Sequence, residues 1–177
     1  MLFRSTTVAN LVGGTGNDVF DIDATLSGSV TGGLGSDTLQ GDLIDSVLIT
    51  STASDGFDGD EASITGGFDD ISTLTGNGGT LTGSDTANTW ALSGSPTLTI
   101  GGNALSFSGF ANLTGGTGVD TFNVTTASTV NLSGGSGNDV FDIDATLSGS
   151  VTGGLGSDTL QGDLIDSVLI TSTAADG

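Results

Sequence analysis

The sequence predicts an all-β chain, a right-handed parallel β-solenoid (a β-roll or β-helix) of about nine rungs with about 19–20 residues in each. Three observations carry that prediction. The motif Gly-Gly-x-Gly-x-Asp-x-apolar occurs five times, at residues 13–20, 32–39, 115–122, 134–141 and 153–160, and steps by 19 within each cluster. Apolar columns keep the same step. Around them apolar and polar residues alternate at period two, the strand signature, and no stretch of helical length shows a 3.6-residue period.

Leu113, Leu132, Val151 and Ile170 form one apolar column, matched earlier by Leu11, Val30 and Ile49. Phe122, Phe141 and Leu160 form another, matched by Phe20 and Leu39, and polar columns such as Thr114, Ser133, Thr152 and Thr171 run between them. Each unit reads as strand, turn, strand, Gly-rich turn, and returns to its start about 4.8 Å along an axis. Like residues then stack on like.

A longer repeat encloses the short one. Residues 16–53 recur identically at 137–174, an offset of 121. The chain is expected to be one continuous solenoid over 1–177. It has motif rungs at 10–53, motif-poor rungs at 54–112, and motif rungs at 113–177 that repeat 10–56. It reads as a window cut from a longer array. In the middle, strands are expected at 71–75, 80–82, 89–92, 97–100 and 105–108, making roughly four rungs between Gly32 and Gly115. Trp90 is expected as a core or edge filler, and Asp55, Asp58, Asp60 and Glu61 as a solvated acidic loop.

Composition agrees with a thin core. Gly contributes 32 of 177 residues, aromatics only 5%, and the hydrophobic fraction is 34%. One basic residue, Arg4, faces 21 acids, of which only Glu61 is not Asp, for a net charge of −20. Asp is favoured at turns and as an oxygen ligand for hard cations. A chain so short of counter-charge repels itself when compact, so bound cations are the natural remedy. Nucleic acid is excluded as a partner because nothing basic is present to neutralise phosphates. No run of eighteen apolar residues exists, so no membrane insertion is expected. Cys is absent, and the first residues, MLFRSTT, lack the apolar core of a signal peptide, so a secretion address would lie elsewhere on a parent protein.

The repeated turns carry the candidate chemistry. Gly permits the positive φ and close backbone approach that a stacked tight turn demands. Asp18 over Asp37, and Asp120, Asp139 and Asp158 in a column, place carboxylates one strand spacing apart. Two unit charges about 5 Å apart repel by roughly 0.8 kcal/mol in water and about 3 kcal/mol at a protein-like dielectric. Calcium between rungs would draw on these Asp oxygens and on main-chain carbonyls of the Gly turns: Gly14 and Gly16, Gly33 and Gly35, Gly116 and Gly118, Gly135 and Gly137, Gly154 and Gly156. The alternative is that each Asp only caps its turn through hydrogen bonds.

The stretch GGTGNDVF at 13–20 and its four relatives resemble the nonapeptide of RTX (haemolysin-type) calcium-binding repeats. That family repeats every nine residues and binds calcium on both edges of its roll. One motif per 19 residues here implies calcium along one edge only. The one-sided pattern is similar to the calcium-stabilised solenoid of giant bacterial ice-binding adhesins, though the outward Thr/Asn rank is broken by Leu34/Ser36 and Leu155/Ser157. The middle, at 84–92 and 107–116, resembles very large β-strand-repeat bacterial surface proteins.

The expected role is structural: a stalk, matrix or filament segment of an extracellular or cell-surface repeat protein, such as an adhesin, stiffened by calcium. The expected partner is the chain itself, end to end or within a longer array. A filament that needs no metal is the alternative. Adhesion to carbohydrate or another surface ligand, or to ice, stays open. A polysaccharide-acting β-helix enzyme is disfavoured, because His, Cys, Lys and Tyr are all absent and Arg4 is the only strong base. Asp21/Asp23 recurs at Asp142/Asp144, as a periodic surface does and a unique catalytic pair does not.

Overall fold

The computed structural model describes residues 10–167 and the backbone of Leu2–Arg4. It is all-β, a ten-stranded and a nine-stranded sheet, both mostly parallel. No helix long and apolar enough to cross a membrane occurs among the described residues. Ile170 and Thr171, and with them the end of the second copy, lie outside the described residues.

At one end lies β1 (Leu2–Arg4). The chain then alternates between the sheets. β2 (Leu11–Thr15) enters the nine-stranded sheet and β3 (Val19–Asp21) the ten-stranded one, followed likewise by β4 (Val30–Leu34) and β5 (Thr38–Gln40). β4 runs parallel to β2 with Leu11 beside Val30, and β5 parallel to β3 with Phe20 beside Leu39. The partners are 19 residues apart, so the step read from the sequence is the strand-pairing register here.

The middle departs from that step. β6 (Ser46–Thr52), β7 (Phe57–Glu61) and β8 (Ile64–Ile71) form an antiparallel meander within the nine-stranded sheet. After β9 (Thr73–Thr75) and β10 (Thr80–Thr82), the strands β11 (Asn88–Leu92), β12 (Thr97–Ile100) and β13 (Asn103–Ser108) form a second meander in the ten-stranded sheet. Each meander overshoots by two places and folds back. It is β8, not β6, that lies against β4, while β6 lies parallel to β10; likewise β13 lies against β9 and β11 against the later β15 (Thr121–Val124). Because both sheets gain two extra strands, their places stay matched. Asn103 Nδ2, at the start of β13, donates to Thr52 Oγ1 and Ala53 O, at the end of β6, each at 3.4 Å.

Two expectations are corrected by this arrangement. Ile49 does not continue the Leu11–Val30 column: Val30 lies beside Phe68, and Ile49 beside Gly59. Of the acidic stretch only Asp55 stands in a bend; Asp58, Asp60 and Glu61 lie on a strand, not in a solvated loop. Phe57, Ile64, Phe68 and Ile71 are all buried, and their burial holds 57–71 in strands rather than in solvent. Along β7, Phe57, Gly59 and Glu61 point inward while Asp60 faces out. Glu61 is satisfied inside the structure by the amide and hydroxyl of Ser63.

Regular stepping resumes with β14 (Asn112–Gly116), β15, β16 (Asn131–Ser136), β17 (Val140–Ile143), β18 (Val151–Leu155) and β19 (Thr159–Gln161). Leu113, Leu132 and Val151 stand in register, as do Phe122, Phe141 and Leu160. The buried side chains of both sheets make one continuous cluster. Trp90, fully buried, stacks on Phe122 at 5.6 Å, and Phe122 on Phe141 at 4.9 Å. Phe107 meets the Trp90 ring edge-on at 5.7 Å. Pairs of this kind add about 0.5–1.5 kcal/mol each beyond area burial.

Candidate metal centre

The five motif turns connect a strand of one sheet to a strand of the other, and in each the Asp folds back over the first Gly. A methyl group on Gly115 would lie 2.2 Å from Asp120 Oδ2, on Gly134 2.0 Å from Asp139 Oδ2, and on Gly153 2.2 Å from Asp158 Oδ2. The first Gly is therefore a space requirement, because the carboxylate takes the place of its side chain. The second and fourth positions are a backbone requirement: Gly14, Gly16, Gly33, Gly35, Gly116, Gly135, Gly137, Gly154 and Gly156 all have positive φ, and of the ten only Gly118 does not.

The Asp side chains stand in two blocks. Asp37 Oδ1 accepts the Asp18 amide at 2.7 Å; in the later block Asp139 Oδ1 accepts the Asp120 amide at 2.8 Å and Asp158 Oδ1 the Asp139 amide at 3.0 Å. Each carboxylate thus ties its turn to the level before it. Asp37, Asp120 and Asp139 are 0% exposed, whereas Asp158, on the last described level, is exposed. The buried Oδ2 atoms of Asp37, Asp120 and Asp139 have no hydrogen-bond partner.

A main-chain carbonyl borders the same space as these carboxylates. The place a Gly115 side chain would take is 2.4 Å from Gly134 O as well as 2.2 Å from Asp120 Oδ2; at Gly134 the same holds for Gly153 O, at 2.5 Å. The Oδ2 atoms of Asp120 and Asp139 are buried acceptors without a donor, a state that a proton or a cation relieves. Burial pushes the Asp120 carboxyl above the ordinary Asp range, against the lowering effect of its hydrogen bonds from Asn88; the Asp139 charge adds to the rise. Asp139 is likewise raised by burial and by the Asp158 charge, against the Asp120 amide.

The level preceding Asp120 holds a sixth turn that the motif search missed. Residues 83–88, sequence GSDTAN, align with 115–120 at a constant offset of 32, since Thr80 pairs with Asn112 and Thr89 with Thr121. Gly83 keeps the first position, Ser84 and Thr86 replace the second and fourth Gly, and Asn88 replaces Asp. Asn88 is 1% exposed. Its Nδ2 lies 2.6 Å from Thr86 O, 2.6 Å from Asp120 Oδ1, 2.9 Å from Ser84 O and 2.9 Å from Gly115 O. Its Oδ1 accepts the Ser84 amide at 3.1 Å, which fixes the orientation of the amide, because the reverse would set an oxygen against four oxygens.

Those four oxygens have counterparts in the motifs at 13–18, 115–120 and 134–139, each of which has another motif at the next level. Ser84 O and Thr86 O correspond to the carbonyls of the second and fourth glycines, Gly115 O to the next level's first glycine, and Asp120 Oδ1 to the next level's Asp. The sequence could have yielded this turn through its retained Gly83 and its spacing to the next motif; the loss of two Gly and the Asp hid it.

Comparison with family models, curated proteins and solved structures returns no match. The motif Asp carboxylates lie against the first Gly of their own turns, a position not among the carbonyl donors expected from the sequence. No three acidic side chains among the described residues form a metal cage by themselves. A cation at these turns would draw mainly on main-chain carbonyls. Across the meander from Asn88, next to Asp37, the place of the Asp passes to Ser72, whose amide donates to Asp37 O at 3.0 Å. The outward corner Asn residues are engaged in joining levels: Asn17 Oδ1 accepts the Ser36 amide at 3.0 Å and Asn138 Oδ1 the Ser157 amide at 2.9 Å.

Proposed function

We propose that this chain is a structural segment of an extracellular repeat protein, wound as a right-handed β-solenoid and stiffened by calcium at its Gly-Asp turns. The alternation between two sheets and the parallel pairing of residues 19 apart support the winding. The oxygen set gathered at the Asn88 amide carries the metal reading: where the turn has Asn, a nitrogen donor stands among four oxygens, and where it has Asp37, Asp120 or Asp139, a buried carboxylate oxygen is left without a donor. Asp18, Asp37, Asp120, Asp139 and Asp158 would supply carboxylate oxygens, and the carbonyls of the second and fourth glycines the rest. Calcium, when bound, supplies the positive charge that a chain of net charge −20 lacks. Binding energy of this kind is folding energy, so the segment would stiffen in the calcium-rich medium outside a cell. Calorimetric titration of the chelated protein with calcium tests this. Heat with a defined stoichiometry supports it, and no heat together with an unchanged melting temperature in EGTA refutes it.

Association of copies of this chain is favoured by one comparison. β18 and β19 repeat β4 and β5 in sequence, yet Leu39 is 0% exposed and Leu160 is 45% exposed. In the first copy β8 and β9 cover those edges; β18 and β19 are the last described strands of their sheets. A second copy would supply the matching edge. Electron microscopy separates filaments from single particles.

A further inference from the structure

We infer that Asn88 is a built-in replacement for the bound cation, so that the turn at residues 83–88 closes without metal and marks where cation binding stops in the column. The inference rests on the calcium reading of the motif turns and assigns the boundary of that site.

An amide nitrogen carries two hydrogens, yet Asn88 Nδ2 stands within 2.9 Å of four oxygens. A hard cation would be offered the same kind of set: carbonyls from two positions of one turn, a carbonyl from the next level, and a carboxylate oxygen. The amide brings partial positive charge to that point permanently, and its own carbonyl oxygen is used by the Ser84 amide and hydroxyl at 3.1 and 3.2 Å. Nothing acidic is contributed by residue 88 itself. Asp120 is consequently served from one side by Asn88, whose main-chain and side-chain N–H groups both reach Oδ1, at 2.7 and 2.6 Å. Asp139 and Asp158 receive only one main-chain amide each from the level before.

The turn backbone fits the same role. Ser84 and Thr86 stand outside the left-handed region that nine of the ten corresponding glycines occupy, so side chains are tolerated there. The Ser84 hydroxyl lies 2.8 Å from that of Thr86 and 3.2 Å from Asn88 Oδ1, replacing by side-chain hydrogen bonds what an ion would hold together. Asn88 also opens β11, two residues before Trp90. A metal-free clasp at this level ties the Asp120 block to the part of the core that holds Trp90.

The test uses the full chain and calcium alone as probe. Asn88→Asp, and the triple variant Ser84→Gly/Thr86→Gly/Asn88→Asp that restores the whole motif, are titrated beside the native chain. Each is expected to bind one more calcium ion than the native chain and to melt lower than it in EGTA, with the loss recovered on adding calcium. The converse variant Asp139→Asn is expected to bind fewer ions and to melt no lower than the native chain in EGTA. If the native chain binds calcium but the triple variant, folded by circular dichroism, binds the same number, the role of Asn88 is overturned while the calcium reading stands. If neither the native chain nor the variants bind, both fall.

Discussion

The levels built on repeated turns and the levels built on the two meanders share one core but close it differently. In the meanders the closure is apolar: Trp90, Phe57, Phe68 and Phe107 fill the space between sheets, and the connecting turns carry no repeated acid column. In the motif levels a strand buries at most two apolar side chains, as with Phe122 and Val124 or Phe141 and Ile143, and the turns of Asp37, Asp120 and Asp139 are closed by a buried carboxylate. The difference teaches that one stack can hold a permanent part and a conditional part. Dispersion and hydrophobic contact need no bound ion or proton, whereas a buried carboxylate without a donor responds to what ion or proton is available.

The largest expected effect tests the permanent part. Trp90→Ala removes a fully buried ring stacked on Phe122, and is expected to cost about 3–5 kcal/mol whether or not calcium is present. Chemical denaturation in calcium and in EGTA checks it; a loss seen only in EGTA would erase the distinction between the two parts. Next comes Gly134→Ala, whose methyl would press within 2.0 Å of Asp139 Oδ2 and 2.5 Å of Gly153 O. Displacing the carboxylate is expected to cost about 1–3 kcal/mol and to weaken calcium binding, read by melting and titration on the same sample.

A smaller effect follows from protons. Asp120 and Asp139 have folded pKa values raised above the ordinary 3.8 by burial. Asp69 and Asp70 are raised too, by burial and by the nearby Asp58 charge. A raised value means the folded state holds the proton more tightly than the unfolded chain does. The stability so gained is complete below 3.8 and is lost as pH rises through the folded values. In EGTA the melting temperature is therefore expected to climb as pH is lowered from neutral toward about 4, and the double variant Asp120→Asn/Asp139→Asn to flatten that climb. In calcium the same acidification works in the opposite direction, because protons compete with the ion.

Much of this was legible in the sequence, for a physical reason. A step of 19 with Gly, Asp and Phe in fixed columns is a register written into the chain, and β2 to β5 and β14 to β19 follow it. The strands at 80–82 and 97–100 also stand where alternation placed them. The meanders were not legible, because strand texture does not reveal direction. Residues 57–71 alternate well enough for strands, but only the packing of Phe57 and Phe68 shows that they turn back on themselves. Asn88 escaped because a motif is searched by residue type, while the turn conserves a place in the stack and replaces a charge by an amide.

The central claim is that the Asp turns are held by calcium and the Asn88 turn and meanders are not. Amide hydrogen exchange on the native chain, in calcium and then in EGTA, measures this level by level. Protection is expected to be lost at the amides of Asp120 and Asp139 on chelation while those of Trp90, Leu98 and Leu105 keep theirs. Equal protection in both solutions throughout, or a uniform loss that includes β11 to β13, contradicts it.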